Sequence, residues 1–126
     1  MVQRTVIDNE EDVRALVQRF YDRATKDELI GHFFTDLDLT AHLPKITSFW
    51  CMVLLGDPTY QGSPMAAHML LDLRIRMEPH HFDRWLTLWE STVDELFSGD
   101  KADEAKQRAR TIASVMLHKV QQARKD

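Results

Sequence analysis

Residues 79–98 read PHHFDRWLTLWESTVDELFS, and the spacing of their apolar side chains decides the class of fold. Phe82, Trp85, Leu86, Trp89, Val93 and Leu96 recur at intervals of three and four, which puts them on one face of a helix with 3.6 residues per turn. Pro79 suits a first helical position, where its missing N–H costs no hydrogen bond. A helix over His80–Ser98 is therefore expected, with Gly99 closing it and Asp100 capping the next one. So broad an apolar stripe has to be buried against neighbouring elements.

The flanking sequence supplies such partners. On the C-terminal side, Lys101 to about Arg124 carries Ala105, Ala109, Ile112, Ala113, Met116, Leu117 and Val120 on one stripe, whose small residues admit close approach of another helix or a flat group. Near the N-terminus, Asp8-Asn9-Glu10-Glu11 reads as a capping box, with Asp8 accepting from the amide three residues on and Glu11 reaching back. Val13, Leu16, Val17, Phe20, Tyr21 and Ala24 then form the buried face of a helix over Glu10–Lys26, which points Tyr21 inward. Leu29–Phe34 is short and apolar and runs into Thr35-Asp36-Leu37-Asp38, where Thr and Asp side chains favour turns. One helical turn and a loop are expected there.

A second long helix is expected from about Leu43 to Leu55, with Ile46, Phe49, Trp50, Val53 and Leu54 on one face and Gly56-Asp57-Pro58 as its stop. The stripe extends back one turn to His42; with Pro44 as the first helical residue, His42 falls just outside the helix. Ser63-Pro64 marks the start of a short helix whose apolar side holds Met65, His68, Met69 and Leu71. No segment alternates as a half-buried strand would. The chain reads as all-α, one domain over 1–126 with loosely ordered ends at 1–8 and 122–126.

At 126 residues the chain is long enough to enclose one core without staples. Its 16 basic and 20 acidic residues give a formal charge of −4 without a basic cluster, so nucleic acid is not an expected partner. The longest uncharged apolar run, Ile46–Gly56, is too short to cross a bilayer. Met1–Asp12 is polar and turns acidic, unlike a secretory signal, and the expectation is a cytoplasmic protein with no membrane partner. Cys51, the single cysteine, lies among Phe49, Trp50, Met52 and Val53 and reads as a buried, inert thiol.

Chemistry has few places to sit. Histidines stand at 32, 42, 68, 80, 81 and 118, and of these His42 and His68 fall on apolar stripes of different helices. A buried imidazole must satisfy both ring nitrogens, either through hydrogen bonds to carbonyls or through a metal, and the sequence leaves both open. The His-Glu-x-x-His pattern of zinc enzymes is absent. Glu78-Pro79-His80-His81 supplies only one of the two Glu-x-x-His motifs of a di-iron bundle. No nucleophile elbow or glycine-rich phosphate loop occurs.

Five segments, Phe20-Tyr21, LIGHFF at 29–34, HLPKITSFWCMVLL at 42–55, YQGSPMAAH at 60–68 and HFDRWL at 81–86, together resemble the third group of truncated haemoglobins over about Val13–Phe97. The resemblance implies a globin-like 2-on-2 helical sandwich around a haem. In that reading His68 is the proximal iron ligand, Tyr21 and Trp85 are distal hydrogen-bond donors, Phe34 packs on the haem and His42 is the distal gate. Lys45 would reach a haem propionate, and Ile46, Phe49 and Trp50 would line the pocket. With Cys51 alone there is no Cys-x-x-Cys-His motif, so the implied haem is b-type and held non-covalently. The implied ligands are dioxygen and other diatomic molecules, whose negative charge on ferrous iron nearby donors stabilise. Redox chemistry on oxygen, nitric oxide or peroxide is the implied extension, with an unidentified reductase as a further partner. Taken singly, Tyr21, Phe34 and Trp85 read equally well as core aromatics and Lys45 as a solvated charge. The alternative is then a cofactor-free helical interaction module with structural histidines.

Overall fold

The computed structural model describes residues 4–35, 37–57 and 77–125. Among them are four α-helices, α1 (Glu10–Ala24), α2 (Leu39–Leu55), α3 (Pro79–Leu96) and α4 (Asp100–Lys125), with a 3-10 turn at Gly31–Phe34. No strand occurs among the described residues beyond one isolated bridge between Thr5 and Phe97, and the all-α class read from the stripes is what forms. The expected short helix around Ser63–Leu71, with His68, lies outside the described residues.

α1 starts where a capping box was expected, but the box is one residue further on. The Asn9 side chain accepts from the Asp12 amide at 3.0 Å, and Asp12 accepts from the amides of Asn9 at 3.3 Å and Asp8 at 2.9 Å. The Asp12 carboxylate thus satisfies two backbone donors, and Asp8 and Glu11 are not the capping pair. After α1 the chain turns tightly. Asp27 accepts from the amides of Leu29 at 3.0 Å and Ile30 at 3.2 Å, while Arg84 Nε reaches it at 2.9 Å from α3. The Arg84 guanidinium and these amides hold the Asp27 carboxyl below the usual carboxylate range.

α2 begins four residues before the expected Leu43, at Leu39. Asp38 is its N-cap, accepting from the Ala41 amide at 3.4 Å, and the His42 amide bonds the Asp38 carbonyl at 2.9 Å. Pro44 is therefore inside the helix; lacking an N–H, it cannot bond the carbonyl of Thr40. His42 consequently belongs to the helix instead of preceding it. The stop is as expected: Gly56 takes the left-handed φ of 73°, and the amides of Gly56 and Asp57 return to Met52 and Cys51 at 3.2 and 3.3 Å. Lys101 Nζ donates to the Leu54 carbonyl at 2.5 Å, placing a cation at the negative end of α2.

α3 starts with Pro79 at its first position, and the Glu78 amide donates to His81 Nδ1 at 2.8 Å. It ends at Leu96, two residues before the expected Ser98, because Phe97 turns extended. Thr5 receives the Ser98 amide at 2.9 Å and donates to the Leu96 carbonyl at 3.4 Å, while nearby Ile7 is only 2% exposed. Part of the stretch expected to be loose is thus tied to the end of α3. Gly99, at φ 97°, leads into α4.

α1 packs on α2 and α3, α3 on α4, and α2 on α4, so one helix pair lies over the other. Val13, Leu16, Val17 and Phe20 of α1 meet Trp50 and Leu54 of α2, Trp89 and Val93 of α3, and Ala105, Ala109, Ala113 and Val120 of α4 in a common core. The alanines of α4 let α3 come close enough for Trp89, 1% exposed, to donate its indole N–H to the Ala105 carbonyl at 3.1 Å. No helix among the described residues is long and apolar enough to cross a membrane.

Candidate functional site

The two helix pairs part around a pocket. α1 contributes Phe20 and Tyr21, the turn after it Ile30, Phe33 and Phe34, and α2 Ile46, Phe49 and Trp50. The opposite side is Met77 with His81, Phe82, Trp85 and Trp89 of α3, and Ile112, Ala113 and Met116 of α4. The empty space, counted out through its open mouth into solvent, is about 890 Å³.

Aromatic contacts build the wall. Phe20 meets Tyr21, Trp85 and Trp89 edge-on at centroid distances of 5.2, 5.8 and 5.3 Å. Trp89 stacks with Trp50 at 4.6 Å and lies parallel to Trp85 at 6.1 Å. Phe34 stands edge-on to Tyr21 at 5.5 Å. Such edge and offset arrangements are the ones that ring quadrupoles favour.

Polar groups in this wall are few, and each has a distinct situation. The Tyr21 hydroxyl lies 2.9 Å from His42 Nε2, one turn into α2. Burial pushes the Tyr21 phenol well above its usual pKa, so it stays neutral and keeps its proton. The Trp89 N–H is committed to Ala105, whereas the half-buried Trp85 indole donates to no described residue. His81 accepts the Glu78 amide on Nδ1, and burial first, then His80 and His32, pull its pKa below the usual histidine value. Its proton therefore sits on Nε2 at neutral pH.

Of the residues singled out from sequence, Tyr21, Phe34, Ile46, Phe49, Trp50 and Trp85 are brought together around the pocket. His42 stands beside it, joined through Tyr21. Lys45 shares that face of α2 but is exposed and is not part of the pocket wall. His68 lies outside the described residues. Among the described residues no group of three or more metal-ligating side chains gathers. Cys51 is buried, and burial raises its thiol pKa, as an inert thiol requires.

Sequence reasoning gave no site role to Phe33, Met77, His81 or Phe82, nor to the α4 residues Ile112, Ala113 and Met116. The signal for the last three was the small-residue stripe that admits a flat group. For His81 it was the position two residues after Pro79, where a side-chain acceptor can return to the amide before the helix.

Comparison with known proteins agrees with this architecture. The profile of the bacterial-like globin family matches residues 6–121. A group 3 truncated haemoglobin of Campylobacter jejuni is 32% identical over 112 residues, covering 84% of this chain and 86% of that protein. A group 1 truncated haemoglobin of Tetrahymena pyriformis is 32% identical over 88 residues, 69% of each chain. The crystal structure of the group III truncated haemoglobin from Campylobacter jejuni superposes with a TM-score of 0.82 at 27% identity, covering 94% of this chain and 95% of that one. With its two-over-two helices and its aromatic pocket, this chain belongs to the bacterial-like globins and, within them, to the truncated haemoglobins similar to the third group.

Proposed function

We propose that this globin holds a b-type haem non-covalently in the pocket between the helix pairs and binds dioxygen and other diatomic ligands at its iron. The observation that carries the reading is a wide, aromatic-walled pocket whose edge presents a buried phenol bonded to an imidazole, Tyr21 with His42. A flat, largely apolar macrocycle suits such walls, and a small number of placed donors suits a polar ligand bound within them.

His68, in the segment between α2 and α3, is the residue proposed to ligate the iron; its other ring nitrogen needs a second partner to fix the tautomer. Phe34, Ile46, Phe49 and Trp50 would pack against the macrocycle, and Lys45, exposed on the His42 face of α2, would reach a propionate from outside the pocket wall. Haem, when bound, supplies an iron that takes a diatomic ligand and polarises it. The chain's own work is the rest. Tyr21 keeps its proton because it is buried, and with His42 as the Nε2–H tautomer the phenol oxygen accepts from Nε2, which leaves the O–H for an oxygen atom that carries partial negative charge. Trp85, with no acceptor among the described residues, offers a second N–H. His42 holds the phenol in place through Nε2, and its half-buried position at the start of α2 suits a gate between pocket and solvent. The apolar wall excludes water and strengthens each of these hydrogen bonds.

Redox chemistry on oxygen, nitric oxide or peroxide fits the same donors, since they polarise a ligand as well as retain it. It would need electrons from a reductase, and a cytoplasmic location, where Cys51 stays reduced, is part of the proposal. The test is a haemin titration of the purified protein, followed by spectra of the ferric, reduced and carbon monoxide forms. A one-to-one Soret change in the wild type, with the histidine-type reduced spectrum lost in His68→Ala, is the expected result. Absence of any saturable change would overturn the haem reading and leave the cofactor-free helical module.

A further inference from the structure

His81 sits where three features meet: the pocket wall, the first turn of α3 and a patch of imidazoles. Its Nδ1 accepts the Glu78 amide at 2.8 Å, which anchors the start of the helix. Its ring stands edge-on to Phe33 at 4.9 Å and to His32 at 5.7 Å, and lies 4.1 Å from the ring of His80. The next residue, Phe82, and Trp85, one turn along, are also in the pocket wall.

The anchor works only while Nδ1 is unprotonated, because an imidazolium has two donors and no acceptor. Protonation would turn Nδ1–H toward the Glu78 N–H, donor against donor, at the point where α3 begins. The groups acting on this proton are His80 on the same helix, His32 on the 3-10 turn and Glu78 before the helix. His80 and His32 oppose protonation, as burial does, and Glu78 favours it; the balance lies below the usual histidine range.

We propose that His81 is a proton-sensitive positioning residue: neutral, it holds the first turn of α3 and thereby seats Phe82 and Trp85 in the pocket wall, and protonated it releases that turn. Acidification then loosens the grip on the occupant of the pocket, which is haem if the functional reading above is right, since this inference rests on that reading for the occupant but not for the device.

Two variants separate the proton from the packing. In His81→Gln the amide oxygen can still accept from the Glu78 N–H, since Gln suits the third helical position, but it does not titrate. His81→Leu removes both anchor and proton. Haemin loss to excess apomyoglobin is followed from about pH 7.5 to about pH 4.5, a window that runs well below the ordinary histidine pKa of about 6.5 to take in the lowered one. In the wild type it should accelerate by about threefold or more, the scale of one lost cap hydrogen bond. His81→Gln should accelerate clearly less than the wild type over the same range, since iron ligation by a histidine keeps its own proton dependence, and His81→Leu should be fast throughout. The same pH profile in wild type and His81→Gln overturns the proposal while leaving the haem site intact.

In the apoprotein, NMR should show the Trp85 indole resonance titrating together with the His81 ring. Independence of the two overturns the proposal whether or not haem binds. A wild type that takes up no haemin refutes the function instead, and the apoprotein titration alone then decides the role of His81.

Discussion

Replacing Tyr21 by Phe removes one oxygen atom, and replacing His42 by Leu removes its only hydrogen-bond partner among the described residues. The two losses are unequal. Tyr21 is 8% exposed, whereas His42 is half-buried and nearer to water. Tyr21→Phe therefore costs the apoprotein about 0.5–1.5 kcal/mol, the net value of one hydrogen bond. His42→Leu leaves a buried phenolic hydroxyl without its partner and costs about 1–3 kcal/mol for that reason, in addition to whatever else His42 contacts. The double variant cancels those other contacts and isolates the pair, with an expected coupling of about 0.5–1.5 kcal/mol. Urea unfolding followed by far-ultraviolet circular dichroism measures all four corners of the cycle. Additivity within about 0.3 kcal/mol would refute the Tyr21–His42 bond. On the proposed reading the same hydroxyl would face a partly charged ligand in the haem-loaded protein, where a hydrogen bond contributes about 1.5–3 kcal/mol. Tyr21→Phe should then speed dioxygen dissociation by about 10- to 150-fold. Unchanged dissociation with intact haem binding would refute Tyr21 as the ligand's donor.

Two further outcomes test the frame around the pocket. Asp27, whose side chain is 7% exposed, has its pKa lowered chiefly by its hydrogen bond from Arg84. A carboxylate more acidic in the folded than in the unfolded chain stabilises the fold above about pH 3.9, and that stability is lost as the pH falls from there toward the folded-state value. Asp27→Asn should lower the urea midpoint at neutral pH, with the gap to wild type closing below about pH 4; a constant gap would refute the ionic origin. At Gly31, an added Cβ would lie 2.9 Å from the backbone oxygen of Thr25, so Gly31→Ala must push the 3-10 turn away from the end of α1. A loss of about 1–3 kcal/mol is expected from such overpacking, and an unchanged unfolding midpoint would show that the turn is not held against α1.

Local patterns made α1, α3 and α4 readable, because a 3.6-residue stripe needs no knowledge of its partner. The departures have identifiable causes. Pro44 looked like a helix start, but Asp38 supplied a cap upstream, and one missing N–H six residues into α2 did not prevent the helix from beginning there. The capping box of α1 moved one residue because the short carboxylate of Asp12 reaches back to two amides. α3 stops at Leu96 through pairing with Thr5, a contact more than ninety residues away that no local window contains. The named pocket residues were legible through family resemblance; taken singly, each also fits an ordinary core. For His81 only the capping position was legible, since its contacts with Phe33 and His32 come from another element.

Trp85 and Trp89 show most clearly where sequence reading stops. They lie one turn apart on the same stripe of α3, with nearly parallel rings, and periodicity treats them alike. What separates them is on α4. Ala105 has too small a side chain to shield its own carbonyl, so α3 approaches and Trp89 spends its N–H there. Trp85, one turn nearer the start of α3, finds no such acceptor among the described residues and keeps its N–H for the pocket. A buried donor already paired within the fold contributes to stability, and a donor left over is available to a ligand. The tryptophan proposed as the ligand donor is therefore the one that the alanine on another helix leaves uncommitted.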